Sequence, residues 1–132
     1  MGDLTNAPAD RRYSREHEWL QMVEDGKARV GITDYAANEL GSVVFVVLPA
    51  VGDRFGQSEK FGEIESVKSV SDLFIPAGGE VTAVNTALAD DPEVINGNPF
   101  GAGWILELRL DHPQQADGLL TAEEYAEFVK TL

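Results

Sequence analysis

Apolar and polar positions change period several times along the chain, and each change marks an element. Strict alternation runs from Trp104 to Leu110: Trp104, Leu106, Leu108 and Leu110 share one face, Glu107 and Arg109 the other, as in a half-buried strand. Residues 17–23 and 27–32 read as strands around Glu24-Asp25-Gly26, because Asp-Gly tolerates the positive φ of a tight hairpin. After a break at Gly78-Gly79, Val81, Ala83 and Asn85 alternate with Thr82 and Val84. Val43 to Leu48 is apolar without alternation, which predicts a strand over 42–48 buried on both faces, with Pro49 and Val51-Gly52-Asp53 turning the chain after it. Two more extended runs bracket Lys68. Helical spacing predicts a short helix over 35–40, capped by Thr33 or Asp34 and ended by Gly41. Asp91-Pro92 starts a single helical turn, and Gly97, Pro99, Gly101 and Gly103 make a loop. At the C-terminal end Thr121 and Glu124 form a capping box and Leu120 with Tyr125 a hydrophobic staple. Tyr125, Phe128, Val129 and Leu132 then form a stripe that packs on a sheet. Many short strands with Gly-rich turns predict a mainly β fold, a β-sandwich or flattened barrel with short helices and a C-terminal helix. Residues 13–132 form one domain behind a loose polar segment, 1–12.

Charge narrows the classes of partner. The 23 acidic against 10 basic residues leave a net charge of −13, which repels phosphate backbones and anionic lipid and favours basic patches on other proteins. No cysteine is present, so disulfides, thiolate catalysis and thiolate metal sites are excluded. Redox chemistry would have to come from a group added to the chain. The longest apolar run, Val43 to Leu48, is too short to span a bilayer. The first residues show neither a signal-peptide nor a transit-peptide pattern, and Met1-Gly2 is followed by Asn6 where a myristoylation pattern needs Ser or Thr. A bacterial cytoplasm is the expected compartment, with a processed mitochondrial matrix protein as the alternative.

No set of catalytic side chains emerges. His17 and His112 lie far apart, and no hydrolase elbow, phosphate-binding loop or calcium-loop spacing occurs; Asp90, Asp91 and Glu93 read as a solvated turn. Lys68 lies amid Glu59, Glu63, Glu65 and Asp72, with only Lys60 to balance them. Carboxylates favour the ammonium form, which argues against a nucleophilic lysine but not against one modified by an enzyme that brings an activated acyl group. On local chemistry alone, Lys68 reads as an ordinary surface lysine in a turn. The run Ser66-Val67-Lys68-Ser69 has no glycine, asparagine or aspartate to force that turn.

Glu65-Ser66-Val67-Lys68 closely resembles the lipoylation motif of the glycine cleavage system H-protein family. His17-Glu18-Trp19, Gly31-Ile32-Thr33-Asp34, Val51-Gly52-Asp53, Gly79-Glu80-Val81 through Val84-Asn85, Asn98-Pro99-Phe100 through Gly103-Trp104, and Thr-Ala-Glu-Glu-Tyr125 resemble that family too, in family order. The resemblance covers about residues 13 to 130. It implies a lipoyl-domain fold of the barrel-sandwich hybrid type, with lipoic acid in amide linkage on Lys68 at a hairpin tip. The amide would take the formal charge from −13 to −14. It further implies a monomeric carrier that catalyses nothing and binds no metal, membrane or nucleic acid. Such a carrier takes the aminomethyl group of glycine from the P protein (glycine decarboxylase) to the T protein (aminomethyltransferase). It passes electrons to the L protein (dihydrolipoamide dehydrogenase), and lipoate-attaching enzymes load it. Glu18 and Asp72 match cleft carboxylates that shelter the aminomethyl amine. Glu39 stands where some members have an arm-lodging histidine, and is left out of the site. Alternative readings are a lipoyl-relay or interaction scaffold of the same fold, or a 2-oxoacid dehydrogenase lipoyl domain; the latter usually carries an Asp-Lys-Ala type motif.

Overall fold

The computed structural model describes residues 4–132, so the Met1-Gly2 pattern lies outside the described residues. Strands β1 (Arg12–Tyr13), β2 (Glu18–Glu24), β3 (Lys27–Ile32), β4 (Val43–Val47), β5 (Arg54–Phe55), β6 (Lys60–Ser66), β7 (Val70–Phe74), β8 (Gly79–Val84) and β9 (Leu106–Leu110) form two sheets. One has the order β1-β2-β3-β9-β8-β5 and the other β4-β6-β7, antiparallel throughout. Helices α1 (Asp34–Leu40), α2 (Val94–Gly97), α3 (Gln114–Asp117) and α4 (Ala122–Lys130) decorate them. This is a flattened barrel-sandwich architecture: the strand pattern predicted a β-sandwich or flattened barrel, and the family resemblance implied the barrel-sandwich type.

Local signals explain the elements that position the site. Gly26 (φ 74°) lets β2 reverse into β3 in two residues, pairing Glu24 with Lys27. The Thr33 side chain accepts from the N–H of Ala36 to start α1, and Gly41 (φ 77°) ends it. Thr121 and Glu124 form the expected reciprocal capping box of α4. The main core lies between the sheets around Leu20, Val30, Ile32, Ile64, Leu73, Val81, Leu106 and Leu108. A smaller one gathers Tyr13, Trp19, Tyr125 and Val129, where the rings of Tyr13 and Tyr125 stack at 5.0 Å.

Four expectations change. First, β4 is not buried on both faces: Val44, Phe45 and Val47 are 50%, 52% and 41% exposed. A bulge sets two residues of β4 against one of β6, between the pairs Val43↔Ser66 and Phe45↔Glu65, so only Val43 and Val46 turn inward. Second, residues 5–12 are held rather than loose. Asp34 accepts from the Thr5 hydroxyl and the Asn6 N–H, and Tyr13 OH donates to the Pro8 carbonyl. The Arg11 guanidinium lies 4.7 Å from the Trp19 ring centre and donates to the Phe100 carbonyl. Third, Leu132 lies beyond the end of α4 and is 62% exposed, so the stripe stops at Val129. Fourth, α3 and a 3₁₀ turn over Thr86–Ala89 carry no strong start signal and were not foreseen.

Candidate functional site

Lys68 stands exposed at the tip of the β6–β7 hairpin. Ser66 does the work a glycine would otherwise do: its Oγ accepts the N–H groups of Lys68 and Ser69, both at 3.2 Å, while its own N–H donates to the Ser69 carbonyl at 2.8 Å. A serine hydroxyl two residues before Lys68 was the signal that could have placed the turn. The tip is also tied sideways, since the Val67 N–H donates to the Ser42 carbonyl at 3.0 Å. Asn96 anchors that neighbouring loop by accepting from Val43 N–H and donating to the Gly41 carbonyl. The Lys68 side chain folds over Gly41, where an added Cβ would stand 2.8 Å from Lys68 Cε.

Two of the four carboxylates that surround Lys68 in sequence, Glu63 and Asp72, serve another lysine. Lys60 Nζ lies 2.7 Å from Glu63 and 3.1 Å from Asp72, which sit directly opposite each other on β6 and β7. Lys60 thereby offsets a like-charge pair across the strands. No ion pair among the described residues includes Lys68 or Glu18.

Beside the tip, a cleft of about 420 Å³ runs between the hairpin and α1. Ile32, Tyr35, Ala36, Leu40, Ile64 and Leu73 give it apolar walls, and Ser69, Ser71 and Asp72 border it on the hairpin side. Glu18 also lines it and is only 1% exposed. Its Oε1 accepts from the Ser14 hydroxyl at 2.7 Å and its Oε2 from the Phe74 N–H at 3.3 Å. Burial pushes its carboxyl up to about 8, against the downward pull of those two hydrogen bonds. Glu18 and Asp72 thus border one cleft, but Asp72 is exposed at the rim and already engaged by Lys60. Glu39, left out of the site on sequence grounds, lies in the same wall.

His17, which the sequence leaves far from His112 and outside any catalytic set, also lines the cleft. Its Nδ1 lies 2.8 Å from Tyr125 OH, which in turn lies 2.7 Å from the Thr33 hydroxyl. Burial lowers its pKa and favours the neutral imidazole. The other family motifs are structural. Trp19 Nε1 donates to the Pro99 carbonyl, and Asn85 Nδ2 donates to the carbonyls of Ala102 and Trp104. Among the described residues no group of three His, Cys, Asp or Glu could hold a metal, and no helix is long and apolar enough to cross a membrane.

A family model described as "Glycine cleavage H-protein" matches residues 11–132. The glycine cleavage system H protein of Symbiobacterium thermophilum is 53% identical over 127 residues, covering 96% of this chain and 98% of its own. A protein of Natronomonas pharaonis named as a probable glycine cleavage system H protein is 55% identical over 120 residues, covering 91% and 94%. The crystal structure of a glycine cleavage system H protein from Mycobacterium marinum matches with a TM-score of 0.87 and 44% identity, over 96% of this chain and all (100%) of that one.

Proposed function

The chain belongs to the glycine cleavage H-protein family, a family of carriers rather than catalysts, and from that premise we propose that Lys68 is the anchor through which it works. Lipoic acid joins the Lys68 amine in amide linkage, and the loaded arm folds back into the cleft beside the hairpin. The observation that carries this reading is the juxtaposition at the tip: an exposed lysine, free of ion pairs among the described residues, opens onto an apolar cleft with a buried carboxyl in its wall. That arrangement fits a long aliphatic arm ending in a cationic amine. When attached, the lipoyl ring supplies the disulfide that accepts a one-carbon amine unit with two electrons.

The chain's own residues do the rest. Ser66 and Ser42 fix the tip, so that Lys68 presents the arm from one point. Ile32, Leu40, Ile64 and Leu73 exclude water along the cleft. Glu18 holds the ammonium in a place sealed from solvent, and Asp72 contributes from the rim against competition from Lys60. Tethering keeps the reactive group at high effective concentration beside whichever enzyme has docked. The partners are the other components of glycine cleavage: the P protein as donor of the aminomethyl group, the T protein as acceptor and the L protein as oxidant. A lipoate-attaching enzyme loads the arm, and the carrier works as a monomer in a bacterial cytoplasm.

Intact-mass measurement of the protein from its native host, beside Lys68→Arg, tests the anchor. A lipoyl increment is expected on the wild type and none on the variant, together with loss of glycine-dependent reduction in a reconstituted system. An increment that persists on Lys68→Arg removes Lys68 from this role.

A further inference from the structure

The Glu18 carboxyl depends on a residue that none of the matched motifs contains. Ser14 stands four positions earlier, between β1 and β2, and closes the intervening loop upon itself. Its Oγ donates to Glu18 Oε1 at 2.7 Å and accepts the N–H groups of Glu18 at 3.1 Å and Glu16 at 3.3 Å. The backbone repeats the closure: Ser14 N–H donates to the Glu18 carbonyl at 2.9 Å, and His17 N–H donates to the Ser14 carbonyl at 3.1 Å. The loop holds His17 at φ 71°, a left-handed conformation uncommon outside glycine. Glu18 has one other donor, the Phe74 N–H, at a longer 3.3 Å.

A carboxylate buried without a cation relies on its neutral donors. The charged and titratable groups around Glu18 come from five elements: Tyr13 from β1, Arg15, Glu16 and His17 from its own loop, Tyr35 and Glu39 from α1, Asp72 from β7 and Tyr125 from α4. None of them makes an ion pair with it. We propose that Ser14 is a positioning residue, whose hydroxyl keeps the Glu18 carboxylate turned into the cleft to receive a cationic amine. This rests on the reading of the cleft as the amine's shelter. The chain closes around Glu18 through the same hydroxyl that opposes the upward push of burial on its carboxyl, so loss of that one oxygen acts on orientation and ionisation together.

The test follows Glu18 directly, by ¹³C carboxyl NMR titration of the full chain before loading. The midpoint is expected near 8 in the wild type, higher by about one pH unit in Ser14→Ala, and restored in Ser14→Thr, which keeps the hydroxyl. In the amine-loaded carrier at neutral pH, Ser14→Ala is expected to shorten the lifetime of the load about tenfold, the same factor as one pH unit, and Ser14→Thr to recover it. An unchanged midpoint in Ser14→Ala overturns the proposal, as does a Ser14→Thr chain that behaves like Ser14→Ala, since the loop and not the hydroxyl would then be responsible. Glu18→Gln separates the two layers. If it shortens the lifetime while Ser14→Ala does not, Ser14 alone is wrong; if it leaves the lifetime unchanged, the shelter reading fails and the proposal with it.

Discussion

Glu18 shows what a single side chain can owe to its surroundings. Unfolded, it releases its proton near its ordinary 4.5; folded, it keeps it until about pH 8. The stability it contributes is therefore fully present below about pH 4.5 and is lost as pH rises to about 8. His17 runs the other way, because burial holds it below its ordinary 6.5, so its contribution is present above that value and lost as pH falls. Comparing wild type with Glu18→Gln by urea unfolding isolates the first effect. Between pH 5 and 8 the wild type should lose about 1.4 kcal/mol per pH unit relative to the variant, up to a limit of a few kcal/mol. A wild type that gains on the variant as pH rises would contradict the burial described for Glu18. Part of this was legible in the sequence: Glu18 shares a strand face with Leu20, which is 1% exposed. The remainder depended on Ser14, whose role emerges only once the loop closes, and on β7, 56 residues away.

The three-stranded sheet carries Lys68 at the tip of its β6–β7 hairpin, and its two faces answer differently to change. Gly62 lies on β6 beside β4, and a Cβ there would collide with the Val47 carbonyl oxygen. Gly62→Ala is expected to lower the unfolding free energy by roughly 1–3 kcal/mol, as overpacking does. Phe45→Thr, on the outer face, should stay within about 0.5 kcal/mol of wild type. Urea denaturation of both variants checks the contrast, and equal effects would refute the assignment of faces. That outer face was misread from sequence because an unbroken apolar run has no period to reveal it. The bulge between Val43 and Phe45 resets the alternation, and nothing in Val-Val-Phe-Val-Val marks where it falls. Over 60–74 the extended runs were legible but the turn was not, because it rests on the Ser66 hydroxyl. The hairpin over 17–32 was legible, since its strands and Asp-Gly turn are local. The helix caps were legible for the same reason.

At the scale of the whole molecule, sequence gave the charge and the fold class but not the partition of strands between sheets, which is set by contacts far apart in the chain. β4 pairs with β6 in the smaller sheet and not with β3, which precedes it in the chain, and the N-terminal segment is recruited through Asp34, Trp19 and Phe100. A net charge of −13 on 132 residues should make docking to basic enzyme surfaces sensitive to salt. The apparent Michaelis constant for this carrier is expected to rise several-fold from low to physiological ionic strength with each glycine cleavage partner, while kcat changes little. Steady-state assays at fixed partner concentration measure it, and a salt-independent constant would remove electrostatics from the encounter. The tip holding Lys68 is fastened within itself by Ser66 and sideways to Ser42. The hairpin is therefore a fixed mast and the hinge begins at Lys68 itself. The sweep of the boom is then set by the lysine methylenes, so the Lys68 amine travels one arc from one origin.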